Sequence, residues 1–319
     1  MPTITVQIVT YNSEKYINDC LESVRAQSYP ITNIIVIDNA SDDSTVEIVE
    51  KHDDILLVKN QNNNGFAGGH NQALQLSSSD YVLVLNPDVC LHSNYIEEII
   101  KVMEINPSIG MGTGKLYRDY KKRLLDSTGI IIKKNRRAFD RGTGQIDNGQ
   151  FDKDVEIFGV SGAAALYRRQ MIEDISINNQ FFDESFFAYK EDVDVSWRAR
   201  IFGWNSIFVP NAIAEHKRGW NEQKKRSDVP MKIRKHSYVN RYYCILKNDH
   251  LLYILLHLPA ILIYEFIILS YAVLKERELL KAWTLFKNEY SNMILKRKKI
   301  QRARRTSLKN IYKFFRGIW

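Results

Sequence analysis

The chain has 319 residues, 45% of them hydrophobic, and a formal charge of +8. That apolar share supports one large domain or two smaller ones and excludes a disordered chain. The charge is uneven: from Lys275 onward fourteen Lys or Arg face three Glu, so this tail carries +11 and the rest −3. Cys20, Cys90 and Cys244 are far apart and odd in number, which excludes a disulfide framework or a zinc spacing and fits free thiols in a reducing compartment.

Met1 leads straight into a strand-like run, Ile4 to Val9, so no signal peptide is expected. Glu14 to Gln27 reads as a helix with Tyr16, Ile17, Cys20, Leu21 and Val24 on one face, Ser13 as its N-cap and Pro30 beyond its end. A strand at Ile34 to Ile37 ends on Asp38-Asn39. A short helix at Ser44 to Glu50 precedes a strand at Ile55 to Lys59. The polar, Gly-bearing segment Asn60 to Gly69 reads as a loop leading to a helix near His70 to Leu76.

Tyr81 to Leu85 is a run of five β-formers, the pattern of a strand buried on both faces of a parallel sheet. Pro87 cannot donate to a ladder, so the strand stops there and Asp88 emerges past its carboxyl end, where open α/β sheets bind ligands. A carboxylate there suits a divalent cation. The βαβαβαβ order implies a mostly parallel sheet flanked by helices.

From Arg118 to Asp154 the pattern is poor, as expected of a loop or hairpin insertion bordering a substrate cleft. Ile157 to Tyr167 reads as a Gly- and Ala-rich strand that a ligand or another backbone approaches closely. Glu191 to Phe202 has helical spacing and opens with Glu191, Asp192 and Asp194, a first turn that the helix dipole also favours. A strand at Ser206 to Val209 precedes Glu215-His216. Leu251 to Leu274 has one formal charge, Glu265. It is long enough to span a bilayer, but Glu265 and Pro259 argue for two shorter helices lying at the interface. The basic run Lys296 to Arg305, with Trp283, Phe286, Tyr290, Phe314, Phe315 and Trp319 around it, suits an anionic membrane surface rather than nucleic acid. The expected division is a catalytic domain over 1–245 and a membrane-associating helical region over 246–319.

The strand-end segments form a set: Val9-Thr10-Tyr11-Asn12, Val36-Ile37-Asp38-Asn39, Asn64-Gly65-Phe66-Ala67-Gly68-Gly69-His70-Asn71 and Leu85-Asn86-Pro87-Asp88. Gly162-Ala163-Ala164, Lys190-Glu191-Asp192-Val193-Asp194 and Trp197-Arg198 follow. In this order and spacing they resemble the GT-A fold, family 2 glycosyltransferases, and within them the rhamnosyltransferase-like branch, over roughly residues 3 to 220.

The resemblance implies roles. Thr10 and Tyr11 would hold the nucleobase, with the Tyr11 ring stacking. Asp38 would accept from the base N–H. Gly65, Phe66 and Asn71 would line the nucleotide, and Asn12, Asn64, Asn86, Gly162, Glu191 and Trp197 would be further substrate-binding residues. Asp88 would be the last carboxylate of an Asp-x-Asp metal motif for Mg²⁺ or Mn²⁺, helped by His216, and Asp192 the general base. One departure stands out: Asn86 replaces the first carboxylate of the metal motif, leaving the cation largely to the diphosphate. The Gln-x-x-Arg-Trp motif of the processive synthases is absent.

The implied reaction is inverting transfer of one sugar, rhamnose from dTDP-rhamnose or another hexose from a UDP- or dTDP-sugar, to a hydroxyl of a saccharide acceptor. The apolar, basic C-terminus suggests a polyprenyl-diphosphate-linked acceptor, as in O-antigen or capsule assembly, at the cytoplasmic face of a bacterial membrane. The alternatives are a nucleotidyltransferase, for which the loop after the first strand lacks the Gly-rich, basic character, and a degenerate nucleotide-sugar-binding protein, which the intact Glu191-Asp192 pair disfavours.

Overall fold

The computed structural model describes residues 1–218 and 228–318; Trp319 lies outside the described residues. The elements run β1 (Ile4–Thr10), α1 (Ile17–Arg25), β2 (Asn33–Asp38), α2 (Thr45–Val49), β3 (Ile55–Lys59), α3 (Gly65–Leu74), β4 (Tyr81–Leu85), β5 (Val89–Leu91), α4 (Tyr95–Ile105) and β6 (Ile109–Asp119). Then come β7 (Leu124–Ser127), β8 (Ile130–Ile132), β9 (Ala138–Asp140), β10 (Ala164–Arg168), α5 (Arg169–Ile175), α6 (Glu191–Phe202) and β11 (Asn205–His216). The C-terminal part is helical: α7 (Met231–Asn248), α8 (Leu251–Leu256), α9 (Leu258–Lys275), α10 (Ala282–Arg302) and α11 (Leu308–Tyr312).

Among the described residues the main sheet has nine strands, in the order β3-β2-β1-β4-β10-β6-β11-β5 with β7 beside β6. The first four are parallel, as the alternating pattern implied. β10 runs against both of its neighbours, β4 and β6. This reversal brings the amino end of β10 to the edge where β1, β2 and β4 finish.

All five residues of β4 are buried. Tyr81, Leu83 and Leu85 pack with α1 and α4 on one face, whereas Val82 and Val84 join the core on the other. That alternation is the period-2 geometry of a strand covered on both sides. The second core also contains Phe158, Trp197, Tyr243, Ile300, Ile311 and Phe315, so α7, α10 and α11 pack directly on the sheet's helical layer. The expected boundary at 245/246 falls inside α7.

Several local expectations differ from the structure. Ser13 does not cap α1 with its side chain; its carbonyl accepts from the N–H groups of Tyr16 and Ile17 instead. α3 begins at Gly65 rather than His70. The glycines that suggested a loop are there for packing, since a Cβ on Gly69 would lie 2.8 Å from both methyls of Val9. The strand expected over 157–167 is regular only from Ala164. Upstream, a Cβ on Gly159 would lie 2.0 Å from Ser196 Oγ, so this stretch crosses tightly against α6. The 118–154 insertion contains β7 and the β8–β9 hairpin.

The apolar stretch is broken at His257 into α8 and α9, beside Pro259 as expected, whereas Glu265 lies within the unbroken α9. Glu265 is satisfied by Arg241 Nη1 at 2.5 Å and by the Tyr242 hydroxyl at 2.7 Å. α9 is long and apolar enough to cross a membrane, and only 11% of its apolar window is buried.

Candidate active site

The carboxyl ends of three parallel strands set the site. The β1–β2 register pairs Thr10 with Asp38, and the β1–β4 register pairs Ile8 with Leu85. β10 enters from the opposite direction, pairing Ala164 with Leu85, and Asn86 N–H donates to the Ala163 carbonyl at 2.9 Å. Gly162 thereby reaches Asn86. β11 closes the far side: His216 pairs with Val89, and Lys217 N–H donates to the Asp88 carbonyl. Between them lies an open cleft of about 680 Å³ lined by Phe66, Asn86, Gly162, Glu191, Asp192 and His216, with Ala138, Phe139 and Asp140 from the insertion.

His216 Nε2 is 3.3 Å from Asp88 Oδ1, and its Nδ1 is 2.8 Å from Asp126 Oδ2. Burial would lower the imidazole's pKa, but hydrogen bonds to Asp126 and Asp88 outweigh it and raise it to about 9. Asp126 is held below the ordinary carboxylate range: burial opposes this, and His216 and Arg218 overcome it. Arg218 joins Asp126 and Asp140, both at 2.7 Å. A carboxylate behind a histidine is the usual way to orient its outer nitrogen toward a metal. Asp88 thus suits a cation completing its shell with diphosphate oxygens and water, and His216 would join it only by giving up the Nε2 proton that faces Asp88. Among the described residues no three His, Cys, Asp or Glu side chains converge as a metal cluster.

On the other wall, α6 presents Glu191 and Asp192. Asp192 Oδ2 accepts from Gly162 N–H at 3.1 Å and Oδ1 from Val193 N–H at 2.7 Å. Glu191 is buried, and its Oε2 has no hydrogen-bond partner among the described residues. Both carboxyls are raised above their ordinary pKa values by burial. The charge of Asp192 adds to the rise at Glu191; at Asp192 the Gly162 N–H bond opposes the rise, and the charge of Asp140 adds to it. Asp194, the third acid, points away into a buried network with Arg198, Lys247 and Asn248.

The chain reaches α6 through a strained turn. Phe187, Tyr189 and Lys190 have φ of 61°, 71° and 69°. Ala188 N–H donates back to the Phe186 carbonyl at 2.7 Å, closing a γ-turn at Phe187. Such conformations cost about 1–3 kcal/mol each and persist only where neighbours hold them. The neighbour here is Asn240 of α7, whose buried amide nitrogen lies 2.8–2.9 Å from the carbonyls of Phe186, Ala188 and Tyr189.

Other residues expected in the site serve elsewhere. Trp197 is 1% exposed and packs edge-to-face against Phe158 and Phe315, in the core rather than the cleft, because α6 is buried on nearly every side. Asn71 ties its amide to Phe182 and Glu184. Gly65, at φ +72°, makes room for the Phe187 carbonyl, which a Cβ would approach to 2.3 Å. Asn12 bridges to the 41–42 loop through Ser41 Oγ and Asp42 N–H. Asp38 is buried and accepts from Thr10 Oγ1, Ser41 N–H and Ser41 Oγ. Thr10, Tyr11, Asn12, Asp38 and Asn64 lie outside the cavity lining, and the Tyr11 side chain is exposed at the shared sheet edge. Sequence reasoning missed Asp126, Asp140, Arg218 and Asn240. Asp126 and Asp140 sit in the insertion whose pattern was poor, and only Arg218, two residues after His216, carried a positional hint.

The family model described as glycosyl transferase family 2 matches residues 5–176, more than half of the chain. The chain belongs to glycosyl transferase family 2. This family 2 enzyme is 26% identical over 213 residues to the poly-beta-1,6-N-acetyl-D-glucosamine synthases of Staphylococcus epidermidis and Staphylococcus aureus, covering 66% of this chain and 48% of theirs. It thus spans about half the length of the curated relatives it matches. Among solved structures it resembles the mannosyltransferase PcManGT from Pyrobaculum calidifontis in complex with GDP-Man and Mn²⁺ (TM-score 0.55, 17% identity, 98% of this chain and 88% of that one). It also resembles S. aureus TarS (0.54, 16%, 92% and 55%). These likenesses bear out the GT-A-type fold, and the family makes the protein a glycosyltransferase.

Proposed function

We propose that this transferase moves one sugar, with inversion, from a UDP- or dTDP-linked donor to a hydroxyl of a saccharide acceptor, with Asp192 as general base. The observation carrying this is the Asp192 carboxylate. It is fixed by the N–H groups of Gly162 and Val193, raised in basicity by burial, and shares a cleft with Asn86 and His216. A base poised this way removes the acceptor's proton as the hydroxyl attacks, worth about 10²–10⁴-fold in rate. Inversion requires no second catalytic carboxylate. Glu191, buried in the cleft beside Asp192 with its Oε2 unpartnered among the described residues, is suited to hold the acceptor by a hydrogen bond. Asp88 and His216 would hold a Mg²⁺ or Mn²⁺ ion, which supplies charge neutralisation to the departing diphosphate. Tyr11 and Asp38 fit the nucleobase end of the same sheet edge.

The apolar faces of α8 and α9 support a membrane-lying enzyme on the cytoplasmic side, acting on a lipid-linked acceptor in cell-surface polysaccharide synthesis. The test is a donor panel including dTDP-rhamnose and UDP-N-acetylglucosamine, run with Asp192→Asn. Loss of turnover by about 10²–10⁴ with KM kept is expected; near-normal turnover sinks the base assignment. Full activity in EDTA sinks the cation. A second reading, chain polymerisation, is favoured by the curated relatives being polymer synthases. A product ladder rather than a single addition would decide for it.

A further inference from the structure

A second cavity, of about 210 Å³, opens beside the cleft and shares Ala138, Phe139 and Lys190 with it. Its other side is formed by Tyr264 and Ile268 of α9. It therefore connects the catalytic cleft to the apolar helix. Three cations line it. Arg241 is committed to Glu265 and to the Asn135 carbonyl. Lys190 is committed to Ser237 at 2.7 Å. Arg137 is different: its guanidinium stacks on the rings of Phe139 (4.4 Å) and Tyr264 (5.3 Å) and has no acid or hydrogen-bond partner among the described residues.

The turn that carries it reads Lys133-Lys134-Asn135-Arg136-Arg137, between β8 and β9. Only Arg136 is neutralised there, by Asp249 at 2.7 Å with both side chains fully buried. Lys133, Lys134 and Arg137 have no acidic partner among the described residues. Beside this cationic turn, α9 exposes Ile263, Phe266, Ile267 and Tyr271, between 38% and 74%. A planar donor fork held by aromatic rings, next to an apolar helix face, matches a phosphate attached to a hydrocarbon chain.

We infer that this second cavity binds the phosphate group of a lipid-linked acceptor, with Arg137 as its bidentate donor and the hydrocarbon chain lying along α9. The sugar hydroxyl then extends past Phe139 toward Asp192. This rests on the reading of the protein as a transferase with a lipid-linked acceptor, and it adds where the acceptor's anionic group sits.

The probe is phosphatidylcholine vesicles carrying a long-chain polyprenyl phosphate, compared with vesicles carrying phosphatidylglycerol at equal surface charge. The full chain is expected to bind the first more tightly. Arg137→Gln should lose that preference, weakening polyprenyl phosphate binding by about tenfold or more while phosphatidylglycerol binding stays unchanged. Tyr264→Ala, which removes one stacking ring, should lose part of the same preference. Equal binding of both vesicles by the unaltered chain, or an Arg137→Gln protein that keeps the preference, overturns the site. Donor hydrolysis by water in the absence of acceptor separates this from the broader reading. Arg137→Gln should keep it, and a matching fall in hydrolysis would place Arg137 at the donor and overturn the inference. Absence of Asp192-dependent hydrolysis in the unaltered chain, with the vesicle preference intact, would count against the transferase chemistry and leave the phosphate site standing.

Discussion

Replacing Lys247 with Met tests whether the C-terminal helices hold α6, the helix that carries Asp192, in place. Lys247 is 1% exposed and bridges Asp183 (2.6 Å) and Asp194 (2.8 Å), while Lys296 of α10 takes the other oxygen of Asp183 at 2.6 Å. Asp194 lies two residues past Asp192 in the first turn of α6. Met keeps the bulk of the aliphatic stem but removes the charge, leaving Asp183 with Lys296 and Asp194 with Arg198 and Asn248. Removing one partner of a buried pair costs about 3–5 kcal/mol, against a typical total stability of about 5–15 kcal/mol. Urea unfolding followed by tryptophan fluorescence measures the change. A second substitution, Asp183→Asn, should add to the loss, since it leaves the buried Lys296 without its carboxylate partner. Burial alone would raise the Asp183 pKa, but Lys247 and Lys296 hold it well below the ordinary carboxylate range. Its contribution is therefore full at pH values above the ordinary carboxylate pKa and is lost as pH falls toward the lower folded value. The Lys247→Met protein should lose less of its stability over that acid window. A loss below about 1 kcal/mol, with an unchanged acid dependence, would refute the view that this network carries the helix.

The proposed base, Asp192, must be ionised to act, so activity should fall with decreasing pH along an acid limb above the ~3.9 of an ordinary Asp. Asp140→Asn should move the limb in kcat/KM to lower pH, because Asp140 helps to raise the Asp192 pKa; an unmoved limb would refute that coupling. Gly65→Ala should destabilise by at least ~1–2 kcal/mol, from φ +72° and contact with the Phe187 carbonyl, and lower kcat through the turn before α6; thermal unfolding and turnover measure both. Asn240→Leu, which releases the three carbonyls of that strained turn, should reduce kcat more than donor affinity, as steady-state kinetics would show. Leu255, Leu256 and Phe266, exposed by 59%, 62% and 74%, should together move the enzyme from the membrane to the soluble fraction when changed to Ser. Each such side chain buried in lipid is worth about 1.5–3 kcal/mol. Truncation after Lys247 is not an equivalent test, because it also strips Lys296, Ile300 and Phe315 from the core.

Local pattern alone determined much of this protein. The bounds of β3, β4 and α6 coincide with the expected ones, and the strand ends at Thr10, Asp38 and Asn86 do share one edge. These features follow from periodicity, from Pro87 and from the rule that parallel strands bring their carboxyl ends together, all readable within a few residues. The motif set also led to the family. What the sequence could not decide was which side chains turn into the cleft. Trp197, Asn71 and Gly65 sit in motif positions yet are used by the core, by Phe182 and by Phe187, because contacts made by distant segments settle where a side chain points. Asp126 reaches His216 across 90 residues and Asn240 reaches the 186–189 turn across about fifty. Lys296 reaches Asp183 across 113. Such pairs leave no periodic trace, since a buried charge selects its partner by proximity in the fold rather than by spacing in the chain. The basic C-terminus shows the same limit. Its composition suggested a surface, whereas the structure buries Lys296 in the ionic network and leaves the cationic turn at Lys133 to Arg137 facing the apolar helix.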